Sequence, residues 1–172
     1  MNLKAYWNLL RPRQWLKNTF VFIGWVFSGA WTDLTLFNQA LLATLAFSAM
    51  ASAVYIYNDF RDLEQDRQHP KKRHRALASG KINNKTAIFI GVLLVFLAFG
   101  LGWLASARVT LILLIYLLLN FAYSQGLKRL VILDVFIIAF GFMLRLFAGT
   151  MGIGIPPSTW LVICGFMLTL FL

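Results

Sequence analysis

Cysteine and carboxylates are both scarce in this 172-residue chain, with one Cys and six Asp or Glu. The lone Cys164 lies inside an apolar run, which excludes a disulfide framework and a thiolate metal site. Charged residues of either sign make up 13% of the sequence, against about 25% in an average soluble domain. Hydrophobic side chains fill 60% of it, so the chain reads as an integral membrane protein. The formal net charge of +10 does not point to nucleic acid. The basic residues sit in short loops between long apolar runs, and no basic stripe interleaves with aromatics.

Six apolar segments can be drawn. They run from about Thr19 to Phe37, Phe37 to Tyr57, Ala87 to Ala105, Val109 to Tyr123 and Leu130 to Met151, and a last one opens at Thr159. The first two are expected to meet in a tight turn near Asp33–Asn38. A spanning helix needs about 20 residues, with about 17 as a lower bound. The fourth is short by that measure, and its ends are expected to extend into Arg108 or Ser124. The sixth is still apolar at Leu172, without a flanking charge, which reads as a fragment of a longer protein. The expectation is an all-α, polytopic transmembrane bundle. Residues 1–172 would form one domain of five complete helices and part of a sixth, with residues 58–85 as its motif loop.

Lys4, Arg11, Arg13 and Lys17 precede the first span, as in a signal peptide, but this basic region is long and carries Trp7, Pro12 and Trp15, and further spans follow. Leu3–Leu10 is read instead as an amphipathic lead-in lying along the membrane surface. Basic residues gather in this lead-in, between Arg61 and Lys85, and at Lys128 and Arg129, whereas the opposite side has only Arg108. Positive residues accumulate on the cytoplasmic side. The N-terminus and both basic loops are therefore placed in the cytoplasm, and the protein in the inner membrane.

Four of the six carboxylates fall within "NDFRDLEQD", at the cytoplasmic end of the second span. If that helix continues at 100° per residue, Asn58, Asp59, Asp62 and Asp66 share a stripe about 100° wide, and Glu64 points elsewhere. Converging carboxylates repel one another, so a cation is expected among them. A ligand set of oxygens alone suits a hard ion, and magnesium is typically shared with substrate phosphates. The run "HPKKRHR" that follows supplies charges for further phosphate oxygens. A magnesium–diphosphate clamp fits both signs of charge. The plain alternative is a solvated acidic helix end followed by topology-setting lysines.

A second polar cluster, "YSQGLKRLVILD", holds Tyr123, Ser124, Lys128 and Arg129 in a turn and Asp134 at the start of the fifth span. Arg145 lies eleven residues further on, about three turns, and so shares a face with Asp134. Small residues nearby (Gly141, Ala148 and Gly149) allow another helix or a lipid chain to approach. An arginine this deep in a span is costly unless it is paired or lines a polar cavity. A structural ion pair and a functional site both remain open for it.

These motifs resemble the UbiA superfamily of intramembrane prenyltransferases. Within it, "LRPRQWLKN" at Leu10–Asn18, "SAVYIYNDFRDLEQDRQHPKKR" at Ser52–Arg73, "GLKRLVILD" at Gly126–Asp134 and "RLFAG" at Arg145–Gly149 are similar to decaprenyl-phosphate phosphoribosyltransferases. The resemblance implies a bundle of nine helices, with the active site at the cytoplasmic mouth of a central lipid-accessible cavity. It implies magnesium held by Asn58, Asp59, Asp62 and Asp66, with Asp134 as a further catalytic candidate. Lys17, Arg73, Tyr123, Lys128 and Arg145 are candidates for the phosphates of donor and lipid. The implied partners are phosphoribosyl diphosphate, a polyprenyl phosphate and membrane lipids, and no nucleic acid. Aromatic prenyltransferases of the superfamily carry a second Asp-x-x-x-Asp motif, whereas here Ile138 stands four residues after Asp134. That departure favours phosphoribosyl transfer over transfer from a polyprenyl diphosphate to an aromatic acceptor. A third possibility, a cation transporter or membrane anchor, would place carboxylates near mid-membrane, and these lie at the interface.

Overall fold

A computed structural model describes residues 3–126 and 131–171. The central helix starts at Asp33, whose carboxylate accepts from the Thr35 and Leu36 N–H groups at 2.9 and 3.1 Å. Those are two of the donors that a helix start leaves orphaned. From that cap α3 runs over Leu34–Arg61, 28 residues. At about 42 Å it is longer than a hydrocarbon core of about 30 Å, so its last turns reach the membrane face. The face it buries is rich in alanine (Ala40, Ala43, Ala46, Ala49 and Ala53), which lets neighbours approach closely.

Asn83 caps α5 (Asn84–Ala105), which connects to α6 (Ala107–Gln125) through Ser106 alone. The Ser106 hydroxyl accepts from the Val109 N–H at 3.0 Å and donates to the Gly152 carbonyl at 2.5 Å. One residue thereby turns the chain and ties it to the turn after α7 (Val131–Ala148). The last helix, α8, covers Thr159–Phe171. In α3, 67% of the most apolar stretch is buried within the protein, against 22% in α5 and in α6. Helix α3 is therefore the core, and α5 and α6 turn side chains such as Phe89, Phe96 and Leu118 outward to lipid. Helix α6 includes Arg108 and Ser124, as its length required.

The first apolar segment departs from expectation. Helix α1 (Leu3–Leu10) is followed by a 3-10 stretch over Pro12–Val21, then a short α2 (Phe22–Phe27). The turn that follows lies at residues 28–33, ahead of the expected Asp33–Asn38, and contains Gly29 at φ 72°. Pro12 has no N–H to donate, and Arg11 before it takes a left-handed conformation at φ 51°, so α1 cannot propagate. Among the described residues four helical stretches, rather than five, are long and apolar enough to cross a membrane: α3, α5, α6 and Ile132–Ile153.

The 3-10 stretch is held by register. Trp15 Nε1 donates to Ser52 Oγ at 2.9 Å, and Asn18 Nδ2 donates to Ser48 Oγ at 3.0 Å. Three residues of 3-10 helix rise about 6 Å, the same as four residues of α-helix, so the two rows match. Ser52 also donates to the Leu10 carbonyl at 2.8 Å, fastening the end of α1.

Further along, the first segment crosses the end of α7 backbone to backbone. A Cβ on Gly149 would overlap the Val21 carbonyl, and one on Gly24 would overlap the Gly149 carbonyl. Neither backbone can swing aside as a side chain can. Gly149→Ala should therefore cost about 1–3 kcal/mol, read as a lower thermal unfolding midpoint in detergent. Gly100→Ala, whose new Cβ meets nothing within 4 Å, should leave the midpoint unchanged or raise it. Equal midpoints for the two variants would count against the close crossing.

Candidate active site

The last turn of α3 divides its polar residues between two sides. Asp59 is buried and accepts from Arg11 Nη2 at 2.5 Å and Arg75 Nη1 at 3.1 Å. The same Arg75 nitrogen donates to buried Asp66 at 2.6 Å, and the Arg11 guanidinium lies over the Tyr55 ring, 4.9 Å from its centroid. A buried carboxylate is tolerable only when paired and hydrogen-bonded. Two guanidiniums shared by two carboxylates meet that condition and relieve the repulsion between Asp59 and Asp66. The network ties the end of α1 to α3, to α4 (Leu63–Gln68) and to the loop after it.

Asn58, one residue earlier and 100° around the helix, faces a different neighbour. Its Oδ1 accepts a short hydrogen bond from Ser124 Oγ on α6. It lines a cavity of about 230 Å³ together with Lys17, Tyr116, Asn120, Tyr123 and Arg145. Helix α3 ends at Arg61, and Asp62 sits at the joint with α4, its N–H donating to the Asn58 carbonyl at 2.9 Å. Asp62 is close enough for its charge to act on Tyr123. The Tyr123 hydroxyl donates to Asp134 Oδ1 at 2.8 Å, joining the two polar motifs across α6 and α7.

Four oxygen-bearing residues were expected on one continuous stripe, and the structure parts them. Asn58 lines the cavity, whereas Asp59 and Asp66 are engaged by arginines. The joint at Asp62 interrupts the helix that the stripe assumed. Among the described residues no group of three or more His, Cys, Asp or Glu side chains is placed to hold a metal ion.

The cations divide as well. Arg73 is exposed in the 3-10 turn Lys72–His74, while Arg75, two residues on, makes the ion pairs. Lys128 lies outside the described residues. Lys17 stands at the cavity mouth, ahead of the apolar stretch, with Nζ 6.0 Å from the Phe142 ring centroid. Partial desolvation there, and then the charge of Arg145, hold its ammonium below the ordinary lysine pKa.

Arg145 is buried and does not pair with Asp134. It donates through Nε to Asn18 Oδ1 at 2.8 Å, through Nη1 to the Gly141 carbonyl at 2.6 Å, and through Nη2 to the Tyr116 hydroxyl at 3.0 Å. Arg11, Arg75 and Asn18 were not singled out from the sequence. Arg11 lies 48 positions before its partner Asp59, and no spacing rule links residues that far apart.

The chain matches the UbiA prenyltransferase family over residues 19–172. It is 37% identical over 170 residues to a decaprenyl-phosphate phosphoribosyltransferase of Corynebacterium glutamicum, covering 95% of this chain and 50% of that protein. A protein of the same name in Mycobacterium tuberculosis is 32% identical over 158 residues, covering 90% and 52%. The chain thus spans about half the length of these curated relatives. Among solved structures, a UbiA homolog from Archaeoglobus fulgidus bound to DMAPP and Mg2+ superposes with a TM-score of 0.80 at 22% identity, covering 96% of this chain and 60% of that one. A digeranylgeranylglyceryl phosphate synthase structure gives 0.80 at 24% identity, covering 98% and 58%. Those two likenesses establish the fold. With a family match that runs from the first apolar segment to the last residue, this multi-pass membrane chain belongs to the UbiA prenyltransferase family.

Proposed function

We propose that the whole protein transfers 5-phosphoribose from phosphoribosyl diphosphate to a polyprenyl phosphate at the cytoplasmic face of the inner membrane. The relatives named decaprenyl-phosphate phosphoribosyltransferase supply the substrate classes. One observation favours this reaction over prenyl transfer to an aromatic acceptor. Asp134 is the sole carboxylate of α7 and is held by the cavity-lining Tyr123, and the position four residues on, which lines the cavity, is Ile138. A side chain of that kind cannot share a second metal ion.

The residues present fit magnesium of the sparsely protein-ligated sort, held by one or two carboxylates plus substrate phosphates. Asn58 and Asp62 are the side chains that would hold it, on an all-oxygen set one turn apart. When bound, it would neutralise charge growing on the departing diphosphate. Asp59 and Asp66 have a different task here. By gripping Arg11 and Arg75 they fix the joint between α3 and α4, and so position Asp62.

The remaining chemistry is carried by charge and orientation. The bond from the anomeric carbon to the diphosphate oxygen breaks, and its electron pair leaves with pyrophosphate. A phosphate oxygen of the lipid forms the new bond to that carbon. The acceptor is already ionised, so no general base is required. Lys17, Arg145, Arg73 and Lys128 are the cations available to the phosphates, and donors placed where charge develops are what accelerates such a step. Tyr123 orients Asp134, whose carboxylate can accept from ribose hydroxyls, an interaction no prenyl chain offers.

The direct test supplies the full-length enzyme in detergent with magnesium, a polyprenyl phosphate and radiolabelled phosphoribosyl diphosphate, and follows label into the organic phase. Label that moves only when a prenyl diphosphate and an aromatic acceptor are supplied would defeat the proposal.

Two variants separate the roles of the first motif. Asp62→Asn should lower turnover on the order of 10²-fold, and by more than any change in its thermal midpoint accounts for. Asp59→Asn should lower the midpoint itself, because it strands Arg11 and leaves Arg75 with Asp66 alone, and breaking a buried pair costs about 3–5 kcal/mol. A stable, inactive Asp59→Asn protein would instead make Asp59 a ligand.

Asp134→Asn tests the second motif in a magnesium titration at saturating donor. The expected result is lower turnover with an unchanged magnesium midpoint. A large rightward shift would make Asp134 a metal ligand and favour the prenyl-diphosphate reaction.

A further inference from the structure

On the outer side of α3, behind the motif, lies another cavity of about 210 Å³, enclosed by α3, α5 and α6. Its floor is apolar and buried (Ala53, Val54 and Ile56), while Phe60, Ile88 and Val92 stand exposed at its edges. Two polar side chains reach it. Asn120 spends Nδ2 on the Tyr116 carbonyl of its own helix at 2.8 Å. Tyr57 stacks on Phe121, with ring centroids 5.2 Å apart and planes 26° from parallel. A water molecule held inside a protein needs about three polar partners, and apolar cavities without them stay dry. A groove of this kind that opens to the bilayer is filled by hydrocarbon.

The groove has a direction as well. It takes in Ala53 to Phe60 at the end of α3 and Ile88 to Val95 near the start of α5. Each stretch is two turns, so the groove begins at the membrane face beside the motif and runs about 10 Å inward. Gly91 keeps it open, since even a Cβ there would meet only Ile56, at an ordinary 3.5 Å.

The mouth is cationic. Arg61 follows Tyr57 by one turn, and Lys85 precedes Ile88 by one turn, so each shares the groove's face at the motif end. Both are exposed, and among the described residues neither makes an ion pair. Helices α5 and α6 contain no carboxylate, and Asp59, the carboxylate in the last turn of α3, is committed to Arg11 and Arg75. Basic residues beside a groove between spanning helices attract lipid phosphates. An apolar slot with two unpaired cations at its mouth is complementary to a chain that ends in a negative headgroup.

We infer that the groove between α3, α5 and α6 is a site for one anionic phospholipid, with an acyl chain along Ile56 and Gly91 and the phosphate at Arg61 and Lys85. The site is separate from the central cavity, with which it shares only Val54 and Asn120 as a wall. The Tyr57–Phe121 stack and the Asn58–Ser124 hydrogen bond close α3 against α6 between the two. The inference does not depend on which reaction the protein catalyses.

The test is lipid binding by the purified full-length protein, delipidated in a neutral detergent. Thermal midpoints are followed against dioleoyl phosphatidylglycerol. Dioleoyl phosphatidylcholine supplies the same chains without net charge, and glycerol phosphate supplies the headgroup phosphate without chains. Wild type should show a saturable rise with phosphatidylglycerol, at least tenfold tighter than with phosphatidylcholine, and none with glycerol phosphate. Arg61→Gln and Lys85→Gln should each weaken phosphatidylglycerol about fivefold, and the double variant should bind the two lipids alike. Lys71→Gln combined with Lys72→Gln removes the same charge from the loop outside the groove and should bind as wild type does. Gly91→Leu, whose side chain fills the groove, should lose the response to phosphatidylglycerol.

Should Gly91→Leu fail to fold, the exposed Arg61 and Lys85 carry the test. Equal binding of the two lipids by wild type would overturn the inference, as would glycerol phosphate matching phosphatidylglycerol, which would make this a site for soluble anions. Unaltered phosphatidylglycerol binding in the double variant and in every folded Gly91 variant would overturn it too. A wild type that ignores lipid, but whose oligomer dissociates in Gly91→Leu, would assign the groove to a second copy of the chain instead.

Discussion

A carboxylate inside a membrane protein must find a positive partner, and at the end of α3 this requirement organises the surroundings. Asp59 and Asp66 draw in Arg11 from one side and Arg75 from the other. Four chain segments are thereby pinned to one point at the membrane face. The left-handed turn at Arg11 and the interruption at Asp62 are both part of that arrangement. A non-glycine residue at positive φ persists only when its surroundings over-determine it. Arg11 has an ion pair, an aromatic face and a following proline to do so. With Asp59 committed to the two arginines, the 100° step along the helix turns Asn58 to a different neighbour, Ser124, on the cavity side.

Inside the bundle the same constraint acts through neutral groups. Ser48 and Ser52 offer hydroxyls one α-turn apart, and the 3-10 stretch matches them with Asn18 and Trp15. The Gly24–Gly149 crossing brings that stretch against α7 closely enough for Asn18 to reach Arg145 across 127 positions of sequence. The chain of contacts Ser48–Asn18–Arg145–Tyr116 links four elements through fully directional bonds. In a bundle whose outer faces meet only lipid, such bonds fix helix rotation where hydrophobicity cannot, because lipid is as apolar as leucine.

Much of this was legible in the sequence, and for a physical reason. The length and composition of a span are set by the bilayer, so α3, α5 and α6 could be drawn, and the extension of α6 into Arg108 and Ser124 followed from length alone. The broken first segment was not legible, since a 3-10 helix and an α-helix carry the same hydropathy. The stripe containing Asn58, Asp59, Asp62 and Asp66 was legible as charge, but the neighbours that meet Asn58, Asp59 and Asp66 were not. A stripe about 100° wide has two edges, and at a helix end each edge can meet a different neighbour. The pairing of Tyr123 with Asp134 was close to hand, because both motifs sit at one turn. The pairing of Arg11 with Asp59 depends on how α1 folds back, and no local pattern encodes that.

The division of charge also bears on how the proposed reaction keeps its scaffold still. Around Asp59 and Asp66 two negative and two positive groups cancel, so this outer network has little net field to be disturbed when substrate arrives. The cavity side is built the other way. Lys17 and Arg145 both line the cavity, and among the described residues neither has an ion pair. Cations without a counter-charge leave unfinished interactions, and an anionic ligand can finish them. In the proposed reaction the phosphates of the substrates would do so. The reacting sugar carbon would then lie between a group that stabilises the departing pyrophosphate and one that holds the incoming oxygen, with the rigid neutral network outside keeping that spacing constant. A scaffold whose own charges were left unpaired would instead move toward the substrate and lose the alignment on which the displacement depends.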